Sequence, residues 1–171
     1  MKKFIVTCCL LLCAVQAWAQ APAADVKPTA DAKLTADVNA FVDSWHDDAA
    51  NARMAYFDKI APDGVYIGTD KTELWRRDAF KAWAKPYFDR KSAWSFKAIR
   101  RNVYWSDDHQ LIWFDELLDT QMGVCQASGV LRKTANGFAI EHYQLSIAVP
   151  NAVAAGVTKT IKQFEAAPPA K

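Results

Sequence analysis

Cysteine is scarce in the part of this sequence that is expected to fold. Three of the four cysteines in 171 residues lie within the first 13 positions, and only Cys125 follows them. A single thiol cannot form an internal disulfide. Because Cys125 lies in the strand-like segment "MGVCQASGVLRK", we expect a small buried side chain, not a nucleophile, which would need exposure and a neighbouring base.

Several common catalytic and binding motifs are also missing from the sequence. The six glycines form no phosphate-binding loop, and "GVCQASG" lacks the serine of a hydrolase elbow. No paired histidine spacing, cysteine pair or calcium loop occurs. His46, Asp47 and Asp48 are consecutive and would diverge around a helix axis, so we interpret them as a helix end. The sequence predicts neither a metal site nor a cofactor.

The sequence has no net charge once its amino terminus is set aside. Two lysines, an apolar run over residues 4–15 and small residues at Ala17 and Ala19 are typical of a secretory signal peptide. We expect cleavage after Ala19 and a periplasmic or secreted protein with 19 basic and 19 acidic residues. A neutral chain without a broad basic field predicts no binding to nucleic acid, and no membrane contact is expected after signal removal.

Hydrophobic periodicity divides the remaining chain into helices followed by strands. Residues 20–32 are rich in Ala, Pro and Asp and predict a flexible leader to a single domain over residues 33–151. A helical apolar stripe runs from Leu34 to Trp45, a shorter helix is expected from about Asn51, and a third begins near Asp78. The remaining tail, residues 152–171, contains a weak amphipathic segment that predicts a short helix.

The second half of the chain predicts a sheet. Residues 94–105, 109–118, 122–133 and 137–149 are rich in aromatic and β-branched residues and are separated by polar turns. Helices followed by a meander of long strands indicate an α+β domain. Long strands twist, so we expect a curved antiparallel sheet wrapped around the first helix, with an open mouth able to hold a small ligand.

Four segments resemble a known family when taken in order. Residues 42–70, 73–88, 113–119 and 141–151 together resemble the SnoaL-like branch of the nuclear transport factor 2-like superfamily. The resemblance covers about residues 33–151 and implies a cone-shaped, cystatin-like α+β fold that often dimerises through its sheet. It also implies an apolar pocket between sheet and helices, which in ketosteroid isomerases and polyketide cyclases carries acid or base groups.

The last strand leaves the role of His142 open. Strand alternation allows either of two inward sets, one containing His142 and Gln144 and the other containing Tyr143 and Leu145. A single bulge would exchange the sets. If the first set faces inward, His142 and Gln144 lie in the pocket; otherwise His142 lies on the outer sheet face, where it would hydrogen bond within the sheet or serve a dimer contact.

Adjacent carboxylates at Asp115 and Glu116 must point to opposite faces of their strand. The family resemblance favours Asp115 as the inward group, on the face of Trp113, with Glu116 as a solvated residue or a partner for Arg100 or Arg101. Burial would raise the pKa of the inward carboxyl and prepare it for acid-base work.

Aromatic residues are the other candidates for a pocket. A short β segment is expected at residues 65–68, "VYIG", before the third helix. Trp75 lies between that segment and the third helix, where the mouth of a cone would be lined, and Tyr66 is a candidate hydrogen-bond donor. Together with Asp115 and His142, Tyr66 completes a hypothetical catalytic set, while Trp75, Trp113 and Gln144 form a hypothetical ligand-binding set.

Three functions are consistent with this architecture. The first is binding of a small, largely apolar ligand in the cone without established catalysis. The second is an isomerase-like or cyclase-like acid-base enzyme with Asp115 as base and Tyr66 or His142 as donor. The third is a protein-association module, such as a homodimer formed through the outer face of the sheet.

Overall fold

The structure of the chain, a computed structural model, describes residues 29–167. The predicted signal peptide with its cleavage after Ala19, residues 20–28 of the predicted leader, and residues 168–171 lie outside the described residues. Within the described range, no helix is both long enough and apolar enough to cross a membrane.

The first helix, α1 (Ala30–Ala50), is longer than predicted at both ends. Thr29 caps it by accepting a hydrogen bond from the backbone N–H of Ala32 at 3.2 Å, so the last three residues of the predicted leader are helical. The interpretation of residues 46–48 as a helix end was wrong, because the buried His46 and Asp48 extend the inward face of α1.

The segment after α1 differs most from the prediction. Helix α2 is a single turn (Ala55–Asp58), and the strand β1 (Ile60–Ile67) follows at once. A short strand, β2 (Leu74–Arg76), was not predicted; it pairs antiparallel with β1. Helix α3 (Arg77–Phe88) begins where expected and contains Pro86 in its last turn.

The four long strands that the sequence predicts are present. They are β3 (Phe96–Trp105), β4 (Leu111–Thr120), β5 (Gly123–Thr134) and β6 (Gly137–Ile147). The carboxy-terminal helix α4 (Asn151–Ala166) is longer than the predicted segment, and none of its residues is buried.

The strands form one curved, unclosed sheet with the order β2-β1-β6-β5-β4-β3. All neighbouring pairs are antiparallel except β1 and β6, which are parallel, so the expectation of a wholly antiparallel sheet fails at that one pair. Register shifts interrupt β3 against β4 and β5 against β6. Such bulges bend and twist a sheet, which fits its curvature.

The core lies between α1 and the concave face of the sheet and is largely aromatic. Trp45 of α1 is fully buried, stacks on Tyr56 at 4.8 Å between ring centroids and meets Tyr143 of β6 edge-on at 4.7 Å. Cys125 is also fully buried with a free thiol, as predicted. The wrapped cone that the resemblance implies is therefore present, and large rings fill its deep end.

We expect Gly64→Ala to lower the free energy of unfolding by about 1–3 kcal/mol, the usual cost of overpacking. A Cβ at Gly64 would lie 2.7 Å from the backbone oxygen of Ile140, where β1 passes β6, and backbone cannot move aside as a side chain can. Gly156→Ala is the matched control, because a Cβ in exposed α4 meets nothing within 4 Å. Equal unfolding midpoints for the two variants in urea would contradict this account.

Candidate functional site

Strand β4 turns Glu116 inward and Asp115 outward, the reverse of the prediction. Glu116 is 1% exposed, on the same face as the buried Ile112, Phe114 and Leu118. Because that face buries a continuous apolar row, alternation places Asp115 on the outer surface. There Asp115 accepts hydrogen bonds from Asn102 Nδ2 at 2.9 Å and the Tyr104 hydroxyl at 3.0 Å.

The Glu116 network consists of Glu116, His46, Arg101 and Tyr143. Glu116 Oε1 accepts a hydrogen bond from the Tyr143 hydroxyl at 2.8 Å and lies 2.9 Å from His46 Nε2. Its Oε2 accepts a hydrogen bond from Arg101 Nε at 2.8 Å. Both carboxylate oxygens are therefore occupied by residues of α1, β3 and β6.

Opposing effects act on the pKa of Glu116. Burial would raise it, but the hydrogen bond and charge of His46, the charge of Arg101 and the Tyr143 hydroxyl outweigh burial, so the pKa is lowered from its usual 4.5. An ionised, fully hydrogen-bonded carboxylate is a poor general base. The network therefore serves to hold α1 on the sheet, which Arg101 reinforces by donating from Nη1 to Asp43 Oδ1 of α1 at 2.9 Å.

A bulge in β6 decides the position of His142. Leu131 of β5 pairs with Ile140 while Val130 pairs with His142, which leaves Glu141 as the extra residue. The inward set therefore changes from Ile140 before the bulge to Tyr143 and Leu145 after it. The alternative that placed His142 and Gln144 in the pocket was wrong; both point to the outer face of the sheet.

The outer face brings together several residues of the predicted site, but away from the cone. Asp115, Trp113 and His142 line one shallow surface hollow, and Gln144 lies in a neighbouring hollow that Asp115 also lines. Trp113 is 45% exposed and stacks on Tyr104 at 6.2 Å. The prediction that Trp113 and Gln144 line the ligand pocket is therefore wrong.

The mouth cavity is a hollow of about 160 Å³ between the sheet and α3. Five aromatic side chains line it together with six other residues: Tyr66, Phe80, Trp83, Trp94 and Phe96, with Gly68, Thr69, Glu73, Gln121, Met122 and Leu145. Tyr66 is thus the one residue of the predicted catalytic set that lies at the cavity. Trp75 backs the wall without lining it, because its ring stacks between Phe80 at 5.3 Å and Trp83 at 4.6 Å.

Phe96 separates the mouth cavity from the Glu116 network. Its ring lines the cavity and packs edge-on against His46, with 5.5 Å between ring centroids. Neither Glu116 nor Tyr143 contributes to the cavity wall. An apolar ligand in the mouth would therefore meet aromatic rings and no carboxylate except Glu73.

Two buried polar atoms near the cavity make no hydrogen bond of good geometry with the described residues. They are the hydroxyl of Tyr56 and the indole Nε1 of Trp94. Burial raises the pKa of Tyr56, the charge and hydrogen bonding of Tyr66 raise it further, and hydrogen bonding by the Trp94 indole lowers it, so the two atoms are close enough to serve as partners for each other. Neither residue is singled out by the sequence analysis, because nothing in the local sequence distinguishes them from other core aromatic residues.

Metal binding has no support in the part of the chain that the structure describes. No three His, Cys, Asp or Glu side chains between residues 29 and 167 are grouped so that they could hold an ion. Within the sequence cluster of residues 46–48, His46 and Asp48 both have other partners. His46 contacts Glu116, and Asp48 pairs with Arg53 Nε and Lys59 Nζ, each at 2.6 Å.

We expect Glu116→Gln to lower the free energy of unfolding by about 3 kcal/mol at neutral pH, because it removes the buried partner charge of Arg101 and leaves that side chain only the exposed carboxylate of Asp43. The lowered pKa of Glu116 means that its contribution is complete above about pH 4.5 and is lost as the pH falls through the folded value. The gap between wild type and variant should therefore narrow as urea denaturation is repeated at progressively lower pH.

Asp115→Asn is the matched control for that measurement. The neighbouring carboxylate lies on the outer face with two hydrogen bonds, so its replacement should cost less than about 1 kcal/mol. Equal losses for the two variants, or a Glu116→Gln effect that does not change with pH, would contradict the assignment of Glu116 as a buried ionised anchor.

The fold and cavity can now be compared with known proteins. A nuclear transport factor 2-like protein of unknown function from Pseudomonas putida KT2440 is 11% identical, with 68% of this chain and 87% of that chain covered at a TM-score of 0.57. A candidate ketosteroid isomerase from Parabacteroides distasonis ATCC 8503 is 14% identical, with 66% and 86% covered at 0.54. At such identities these likenesses show the fold alone.

A third similar structure is a candidate calcium/calmodulin-dependent protein kinase II association domain from Xanthomonas campestris. It is 22% identical, with 67% of this chain and 87% of that chain covered at a TM-score of 0.51. No curated protein matches the sequence significantly. A family model described as a SnoaL-like domain matches residues 38–150, from α1 to the end of the sheet. The chain therefore belongs to the SnoaL-like domain family and has the nuclear transport factor 2-like fold.

Proposed function

We propose that this protein binds one small, largely apolar molecule in the mouth cavity. Two features of the structure support this proposal. A hollow with aromatic walls opens at the mouth, and the Glu116 carboxylate beneath it is fully hydrogen bonded to His46, Arg101 and Tyr143. Concave, mostly apolar sites with a few polar groups are typical of ligand binding.

The size of the cavity limits the ligand. Drug-sized ligands occupy pockets of roughly 300–1,000 Å³, whereas an apolar cavity of about 150 Å³ holds a molecule the size of benzene. The mouth cavity, at about 160 Å³, therefore suits a single ring better than the polycyclic substrates of the isomerase and cyclase alternative.

Acid-base catalysis is not part of the proposal. An enzyme of the expected kind would need an inward carboxylate with a second polar group facing it across the cavity. Asp115 and His142 lie on the opposite face of the sheet, and Glu116 is held by three hydrogen-bonding neighbours behind Phe96. Tyr66 alone reaches the cavity, and burial raises its pKa, which favours a neutral donor over a proton acceptor.

Self-association through the outer sheet face is a second candidate function. The stacked pair Tyr104 and Trp113 leaves large apolar surface exposed at 43% and 45%, and Leu111 beside them is 40% exposed. Aromatic side chains in such positions are typical of interface cores. The similar structure from Xanthomonas campestris is a candidate association domain, which fits a homodimer formed by this face.

Export to the periplasm or the medium remains a proposal that rests on residues 1–19. Amino-terminal sequencing of the exported protein should begin at Gln20. An intact Met1 on the exported chain would reject both the signal peptide and the cleavage position.

Two exposed tryptophans allow the cavity and the outer face to be tested separately. We expect toluene to bind the wild type with a dissociation constant of about 0.1–1 mM, as seven heavy atoms allow. Trp83 is 41% exposed and lines the cavity, so Trp83→Ala removes part of the cavity wall. The variant should bind toluene about tenfold more weakly. Trp113→Ala should leave toluene binding unchanged but shift the protein from dimer to monomer. Ligand-observed NMR and analytical ultracentrifugation measure the two effects.

The two halves of that experiment fail independently. If toluene does not bind the wild type, or binds the Trp83→Ala variant equally well, the mouth cavity is not a ligand site. If the wild type is monomeric, or Trp113→Ala leaves a dimer intact, the outer sheet face is not the association surface.

A further inference from the structure

The mouth cavity has one carboxylate and no cation in its wall. Glu73 lines the cavity beside the aromatic rings, and no Lys, Arg or His side chain contributes to the wall that the structure describes. The other polar side chains of the wall, Thr69 and Gln121, carry no charge. The cavity is therefore negative at one point and otherwise largely apolar, and the proposed function gives no role to that negative point.

The hairpin of β1 and β2 holds Glu73 in this position. Glu73 directly precedes β2, and its backbone oxygen accepts a hydrogen bond at 2.9 Å from the N–H of Gly68, which directly follows β1. A Cβ at Gly68 would collide with Glu73 Oε2, so the glycine leaves the space that the carboxylate occupies. The same oxygen accepts a hydrogen bond from the backbone N–H of Asp70 at 3.2 Å. Local contacts therefore position the carboxylate at the cavity.

No basic side chain of the described chain neutralises Glu73. Among residues 29–167, none of the salt bridges includes it. The basic residues close to it in sequence have other partners, since Lys71 pairs with Glu165 of α4 and Arg76 donates to a backbone oxygen of β1. A negative charge that the protein leaves without a counter-charge beside a cavity favours a ligand that carries a positive charge.

The aromatic wall of the cavity suits a cation as well as an apolar ring. Trp83 and Trp94 both line it, and indole rings attract cations more strongly than other aromatic side chains do. The charge of Glu73 acts on the same wall, because it raises the pKa of Tyr66 in addition to the larger effect of burial. Glu73 is only half-buried, so an ammonium group beside it would keep part of its hydration and avoid the full cost of a buried charge.

We propose that the ligand of the mouth cavity is a small organic ammonium ion, whose apolar body of about one ring packs among the aromatic side chains while its ammonium group pairs with Glu73. This inference rests on the proposed function and deepens it, since it names the ligand class of the same site. Glu73 is the residue that sets the specificity, because its carboxylate attracts a cation and repels a carboxylate or phosphate ligand.

Benzylamine and benzyl alcohol test the inference, because they have the same number of heavy atoms and only the amine is a cation at about pH 7. The wild type should bind benzylamine about fivefold more tightly than benzyl alcohol, as a well-formed, partly exposed ion pair allows. Glu73→Gln removes the charge and should bring the two dissociation constants within about twofold of each other by weakening benzylamine binding alone. Ligand-observed NMR titrations measure all of these constants.

Glu141→Gln is the matched control. It removes the same charge from β6, where Glu141 does not line the cavity and pairs with Arg132 Nε at 2.7 Å. This variant should keep the fivefold preference for benzylamine. If it loses the preference as Glu73→Gln does, the preference reflects the overall charge of the protein, and the assignment of Glu73 is overturned.

Toluene distinguishes a failure of this inference from a failure of the proposed function. Glu73→Gln should bind toluene within about twofold of the wild type, which also shows that the variant keeps its folded cavity. If toluene binds but the wild type does not prefer benzylamine, or Glu73→Gln keeps the preference, the ammonium class is overturned and the apolar binding site stands. The wild-type comparison does not depend on how well a variant folds. If none of the three probes binds the wild type, the proposed function fails together with this inference.

Discussion

The structure depends on keeping one ionised carboxylate inside an apolar interior. Glu116 can be buried only because α1 supplies His46, β3 supplies Arg101 and β6 supplies Tyr143 at hydrogen-bonding distance. A buried charge without such partners would cost several kcal/mol. The requirement fixes how α1 sits on the sheet and which face of β4 turns inward. From that single orientation follow the aromatic core around Trp45 and the exposure of Asp115 on the opposite surface.

The same constraint keeps the inward carboxylate of β4 away from the mouth cavity. The sequence surrounds Glu116 with hydrogen-bonding partners and places Phe96 between it and the mouth. What remains open is a small hollow lined mainly by aromatic rings, with Thr69, Glu73 and Gln121 as polar residues at its wall. Fold membership alone would leave catalysis, binding and association equally available, and it is the location of Glu116 relative to the cavity that favours binding.

Sequence reasoning reached the fold but not the orientation of its candidate residues. The stripe from Leu34 to Trp45 and the four aromatic-rich strands are long, periodic signals, and both are confirmed. In β4, however, each face carries apolar residues, so alternation could not choose between Asp115 and Glu116; the contacts of His46 and Arg101, distant in sequence, decide it. In β6 one inserted residue, Glu141, reverses the parity of everything after it, and a bulge has no reliable signature in a single sequence.

A crystal structure of the protein grown with saturating toluene would test the central claim most directly. The account predicts one ring in the mouth cavity among the aromatic side chains, with the contacts of Glu116 to His46, Arg101 and Tyr143 unchanged. Toluene bound elsewhere with the mouth closed by its own side chains, or a channel opened past Phe96 that brings the ligand to Glu116, would contradict it.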